Sequence, residues 1–135
     1  MSKILENLFL GSEDDIKINS EITYYINVTR DLPKPLFVKD ENFFRCPVND
    51  GFDENISSFF PEIFKIIEER NKDVFLVYCK AGISRSPTIV ISYLMKKFNM
   101  KSQDAYDLVK EKRPCISPNL HFIGQLYCYE KKLFH

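Results

Sequence analysis

Apolar residues in this chain gather in two kinds of run. Short, dense runs occur at Phe9 and Leu10, at Tyr24 to Val28, at Phe43 to Val48 and at Val74 to Tyr78. They are rich in β-branched and aromatic residues, as strands require. The first predicts an edge strand ending at Gly11. The last is apolar at every position and predicts a strand buried on both faces. Longer runs show helical spacing. The segment Ser57 to Arg70 puts Phe60, Ile63, Phe64 and Ile67 on one face, with Pro61 expected to kink its first turns. Ser86 as N-cap and Pro87 at the first helical position open a second helix, striped by Ile89, Val90, Tyr93, Leu94 and Phe98. A third helix runs from Ser102 to Arg113, where Pro114 stops it. A fourth runs from Pro118 toward Leu133 and is expected to bury Ile123, Leu126 and Tyr127. Strands interleaved with helices predict an α/β domain: a central, mostly parallel twisted sheet of four to five strands with helices on both faces.

The fourth strand leads straight into chemistry. Cys79 follows it, and Arg85 and Ser86 close a short loop of Lys80, Ala81, Gly82, Ile83 and Ser84. A thiol attacking a phosphate monoester must be ionised and must approach a dianion, and concentrated positive potential answers both needs. A loop of this length supplies it by turning successive backbone N–H groups inward, backed by the N-terminus of the following helix. Gly82 permits the turn. Arg85 brings a planar fork of donors that grips two phosphate oxygens, which a lysine does not match. Ser86 can hydrogen-bond the sulfur and help it leave a phosphocysteine. The bland alternative is a structural cysteine in a helix-capping turn; the glycine, the hydroxyl and the strand-loop-helix setting weigh against it. Departure of a seryl or tyrosyl oxygen also needs a proton donor. Asp50, before Gly51 on a loop upstream of the same sheet edge, is the candidate, with Asp53 in reserve. Asn-Asp-Gly is equally a strong turn sequence, and the two roles are compatible.

Composition narrows the reading. The 135 residues make one domain, 1–135. Nineteen basic and nineteen acidic residues balance, so no polycationic face points to nucleic acid. Cys46, Cys79, Cys115 and Cys128 include no CxxC pair, and only His121 and His135 are there to join them, so no metal and no cofactor are expected. Without an apolar leader near Met1 or a membrane-spanning run, the expectation is a cytoplasmic monomer, nuclear entry allowed, with no stable membrane association.

Taken together, these residues resemble the cysteine-dependent protein phosphatases, in particular the dual-specificity branch related to mitogen-activated protein kinase phosphatases. ENLFLGS and INVT resemble that family's first two strands, CPVNDGFDENISSFFPE its acid loop and following helix, and ISPNLHFIGQLYCYE its last helix. The resemblance implies hydrolysis of phosphotyrosine and phosphoserine or phosphothreonine in proteins, mitogen-activated protein kinases among the partners. It implies Asp50 as general acid and Asn119 as a support behind the loop; Asn119 in a plain first helical turn explains that residue almost as well. Tyr78 stands where most relatives have histidine, and it cannot become a cation, although it can still donate one hydrogen bond. That departure leaves open a module that binds phosphoproteins without turning them over. Lys80, Ala81 and Gly82 also resemble phosphoinositide phosphatases, but Ile83 and Ser84 stand where those carry a second lysine, and Lys80 reads as a solvated charge. Arg113 reads either as an exposed helix-end charge or as a contact for a second phosphate.

Overall fold

A computed structural model of the chain describes residues 1–18 and 20–134. His135 lies outside the described residues. Five strands form one sheet: β1 (Ser2–Leu5), β2 (Leu8–Ser12), β3 (Tyr24–Asn27), β4 (Phe43–Arg45) and β5 (Phe75–Cys79). Their order is β1-β2-β5-β3-β4, with only the β1 pairing antiparallel. The mostly parallel α/β fold read from the sequence is therefore present. The Phe9–Leu10 strand, expected at the edge, is second in the sheet, because Ser2 to Leu5 folds back on it as a hairpin. A four-residue strand has too little alternation to be told from a loop.

β5 is central, and all five of its residues are buried. The period-2 alternation of strands divides its side chains between two cores. Phe75, Val77 and Cys79 join Leu8, Leu10, Tyr24 and Ile26 in the larger core. Leu76 and Tyr78 face the smaller one with Phe9, Tyr25, Ile22 and Val38. Helices were expected on both faces; instead α1 (Phe60–Glu69), α2 (Arg85–Phe98), α3 (Ser102–Lys112) and α4 (Leu120–Leu133) all contribute to the larger core. Residues from the loops after β2 and β3, such as Ile16, Ile22, Leu32 and Val38, fill the other.

Helix boundaries moved for local reasons. A 3-10 turn, Ile56–Phe59, precedes α1 and is capped by Asn55, so Pro61 falls in the first turn of α1, where its missing N–H costs no bond and no kink is needed. β4 stops at Arg45, ahead of Pro47, which has no N–H to give a ladder. α2 starts at Arg85, so Ser86 is its second residue and Ser84 its N-cap. Ser86 to Met95 is buried throughout, and only Phe98 of the expected stripe is exposed, because α2 packs between the sheet and the other three helices. In α3 the N-cap is Lys101, and Ser102 donates its N–H and hydroxyl to Glu130 of α4, at 2.6 and 3.0 Å. Of the α4 residues expected inside, Leu126 is buried, joined by Phe122, with Tyr129 and Leu133 beside the core, while Ile123 and Tyr127 are exposed.

α1 and α2 are also joined by a polar contact. The Tyr93 hydroxyl donates to Glu68 Oε2 at 2.7 Å, and Lys97 reaches both Glu68 oxygens at 3.2 Å. The Tyr93 bond, helped by Lys97 and opposed by burial, holds the Glu68 carboxyl below its usual range. Its contribution is therefore complete above the ordinary glutamate value and fades as pH falls through the depressed one. Tyr93→Phe is expected to lower stability by about 1 kcal/mol at neutral pH. The deficit should shrink in acid, which urea unfolding across a pH series will measure.

Candidate active site

The carboxyl ends of β2, β5 and β3 meet at one edge, Ser12 pairing with Cys79 and Asn27 with Tyr78. Open α/β sheets bind ligands at such edges. Cys79 is buried there at the mouth of the loop. Its Sγ lies 3.2 Å from Ser86 Oγ, 3.3 Å from the Gly82 N–H nitrogen and 3.5 Å from that of Ser86. Donors converging on sulfur stabilise negative charge on it. Ser86 Oγ also donates to the Gly11 carbonyl at 3.3 Å. The hydroxyl has a single proton. A neutral thiol donates to Ser86 Oγ while the hydroxyl serves Gly11, whereas a thiolate draws the hydroxyl proton to itself.

The orientation of the loop follows from its carbonyls. That of Lys80 accepts from Glu13 N at 3.2 Å, that of Ile83 from Ser117 N at 2.7 Å, and that of Gly82 from Arg113 Nε at 3.0 Å. All three partners lie outside the loop. In a planar trans peptide the N–H points opposite to the C=O, and no cis bond occurs among the described residues. The N–H groups of Ala81, Ile83 and Ser84 are thereby turned into the loop, a backbone nest for an anion. Gly82 has φ 68°, and a Cβ there would lie 2.5 Å from Arg113 Nη2 and 2.7 Å from the Gly11 carbonyl oxygen, so only glycine fits. Lys80 and Ala81 are exposed and Ser84 is buried, its hydroxyl accepting from Asn119 N at 3.0 Å. Arg113, expected at an exposed helix end or on a second phosphate, is half-buried and braces the loop; it also reaches Ser2 Oγ at 3.2 Å.

Arg85 is half-buried and donates from Nη1 to the Val48 carbonyl at 3.2 Å. That bond joins the anion loop to the segment bearing Asp50. Asp50 is exposed, and its Oδ1 accepts from Asn119 Nδ2 at 2.8 Å. Asn119 also caps α4, accepting from Phe122 N at 2.9 Å. Its backbone amide thus contacts the anion loop while its side chain holds the carboxylate. Asp53 is exposed and makes no hydrogen bond or ion pair with these groups among the described residues. Tyr78 does not join the group. Its side chain lies on the opposite face of the sheet from Cys79, and its hydroxyl is a buried polar atom with no hydrogen-bond partner among the described residues. The neighbouring Asn27 is already engaged with Leu32 and Thr29, at 3.0 and 2.6 Å. Burial pushes the Tyr78 phenol up to about 12. The hydrogen bond it was expected to offer the loop is absent, since adjacent strand residues face opposite ways.

Sequence reasoning missed a second layer. Glu54 accepts Asn49 N at 2.6 Å and Arg30 Nη2 at 3.0 and 3.2 Å. The Asn49 N–H first, and then Arg30, hold its carboxyl below the usual carboxylate range. Gln125 of α4 donates to the Glu54 carbonyl at 2.7 Å and accepts from Ser57 N at 2.9 Å. No local spacing signals these contacts.

A thiol surrounded by donors, a nest of inward amides, an arginine at the helix start and a carboxylate on the facing loop define a cysteine-dependent phosphatase domain. The chain belongs to the family described as "Dual specificity phosphatase, catalytic domain", whose model matches residues 8–132. It is 45% identical to human dual specificity protein phosphatase 16 over 98% of its own length, but spans only 21% of that relative. Among solved structures, human DUSP28 superposes with TM-score 0.90 at 30% identity, over 98% of this chain and 97% of that one. Human tyrosine phosphatase-like serine/threonine/tyrosine-interacting protein superposes equally well, with TM-score 0.90 at 34% identity over 100% and 98%.

Proposed function

We propose that this domain hydrolyses phosphotyrosine and phosphoserine or phosphothreonine in proteins through a phosphocysteine intermediate. The observation that carries the reading is the convergence of the Gly82 and Ser86 donors on Cys79 Sγ at the mouth of a loop whose carbonyls are tied outward. In the first step the Cys79 thiolate attacks phosphorus. The bond to the substrate oxygen breaks, and Asp50 gives that oxygen its proton. The amides of Ala81, Ile83 and Ser84 and the Arg85 fork hold the three equatorial oxygens as charge shifts among them. In the second step water attacks phosphorus and gives a proton to Asp50, the S–P bond breaks, and Ser86 donates to the departing thiolate. Inorganic phosphate leaves and the site is restored. Phosphorylated mitogen-activated protein kinases are the substrates this reading favours, in the cytoplasm with nuclear entry allowed.

The test compares the wild type with Asp50→Ala on phosphotyrosine and phosphothreonine peptides. Wild-type release of phosphate from both is expected, with kcat falling about 10²- to 10⁴-fold in the variant while peptide affinity holds. Failure of the wild type to turn over either peptide, despite binding it, overturns the reading in favour of a phosphoprotein-binding module.

A further inference from the structure

The peptide group between Val48 and Asn49 is held at both ends. Its carbonyl accepts from Arg85 at 3.2 Å, and its N–H donates to Glu54 at 2.6 Å. Asp50 is the next residue. Residues 50–53 have no regular structure, and Asp50, Phe52 and Asp53 are exposed, so little else fixes the carboxylate beyond the single Asn119 contact. The Asn49 to Glu54 bond closes this segment into a ring. Glu54 is itself anchored at both of its ends. Arg30 binds its carboxylate, and Gln125 holds its backbone carbonyl against α4. The Glu54 side chain is only 14% exposed whereas Arg30 is 52% exposed, so the carboxylate is the fixed member of the pair.

We propose that Glu54, oriented by Arg30, is a positioning residue for proton transfer: it holds the Val48–Asn49 peptide against Arg85 and so sets Asp50 over the leaving oxygen. The inference rests on Asp50 acting as the acid. It ties the acid to the phosphate through one peptide unit, so that the residue gripping the phosphate and the residue protonating the leaving group share a rigid link. Lost alignment of a reacting group by about 1 Å costs up to about a hundredfold in rate. Glu54 touches no reacting atom; its effect on phosphocysteine formation is confined to leaving groups that need the proton, while hydrolysis of the phosphocysteine is the same step for every substrate.

That confinement supplies the test. Phenyl phosphate releases a basic phenolate that needs protonation, whereas 4-nitrophenyl phosphate releases an anion stable without it. Steady-state kinetics on both would be measured for the wild type, Glu54→Ala, Glu54→Gln, Arg30→Met and, as reference, Asp50→Asn. Glu54→Ala is expected to lower kcat/KM on phenyl phosphate, which reports phosphocysteine formation alone, about tenfold to a hundredfold. On 4-nitrophenyl phosphate kcat/KM should change by no more than about twofold, with vanadate inhibition unaltered. Glu54→Gln, which keeps an acceptor for Asn49, and Arg30→Met, a surface change that spares folding, should show the same selectivity at smaller amplitude. Equal losses on both substrates, or no loss on either, would overturn the proposal. Should Asp50→Asn itself show no dependence on the leaving group, the acid assignment fails and the Glu54 role falls with it. Should Asp50→Asn be selective and Glu54→Ala not, only the latter fails.

Discussion

Cys79→Ser is expected to abolish turnover, by roughly 10⁵-fold or more, in line with removal of a sole nucleophile elsewhere. The hydroxyl stays protonated where a thiolate would form, and it is a far weaker nucleophile toward phosphorus. In the proposed mechanism, however, the groups that bind phosphate are not the sulfur but the amides of Ala81, Ile83 and Ser84, set by carbonyl bonds to Glu13, Arg113 and Ser117, and the Arg85 fork. None of these contacts involves the side chain of residue 79, so phosphopeptide affinity should persist in the variant. Phosphate release and calorimetric titration of the same phosphotyrosine peptide read the two properties separately. Residual turnover above about one per cent would show that another group attacks.

Arg85→Lys is the second large effect, expected to lower kcat/KM about 10³-fold, as for other arginines that clamp a phosphoryl group in the transition state. Charge is conserved by this change, so the loss isolates geometry. A guanidinium can place two parallel N–H groups on phosphate while a third donor serves the Val48 carbonyl, as Nη1 does here at 3.2 Å. An ammonium on a shorter reach cannot do both. The vanadate inhibition constant should weaken alongside kcat/KM, since vanadate mimics the transferring group. A lysine variant that kept wild-type vanadate affinity would remove Arg85 from the phosphate site.

The strand, loop and helix around Cys79 were legible because their determinants are local. An apolar run predicts the buried strand, a glycine the turn of the loop, and a helical stripe the existence of α2. The placement of Asp50 on the loop facing Cys79 was legible for a similar reason, since it lies at a turn past a strand. The boundaries of α2 were less so. Ser86 looked like an N-cap, but the loop draws its N–H and hydroxyl to the sulfur and so pulls the helix start back to Arg85. Arg113, Glu54 and Gln125 were not legible in these roles. Each acts on a partner brought near only by the tertiary fold or by an irregular loop, and no periodicity marks such a meeting. The sidedness of Tyr78 was open to inference from strand alternation alone, since a residue next to Cys79 on a strand must face the other way.

The outward carbonyls of the loop depend on distant parts of the chain. Their ties run to the segment after β2, to the end of α3 and to the approach to α4, regions that chain synthesis delivers at widely separated moments. An emerging polypeptide holds residue 79 long before residue 117 exists to complete the cradle. Until the last tether docks, the loop amides are not held around the sulfur, so the anion cradle is complete only once the segment reaching residue 117 has folded.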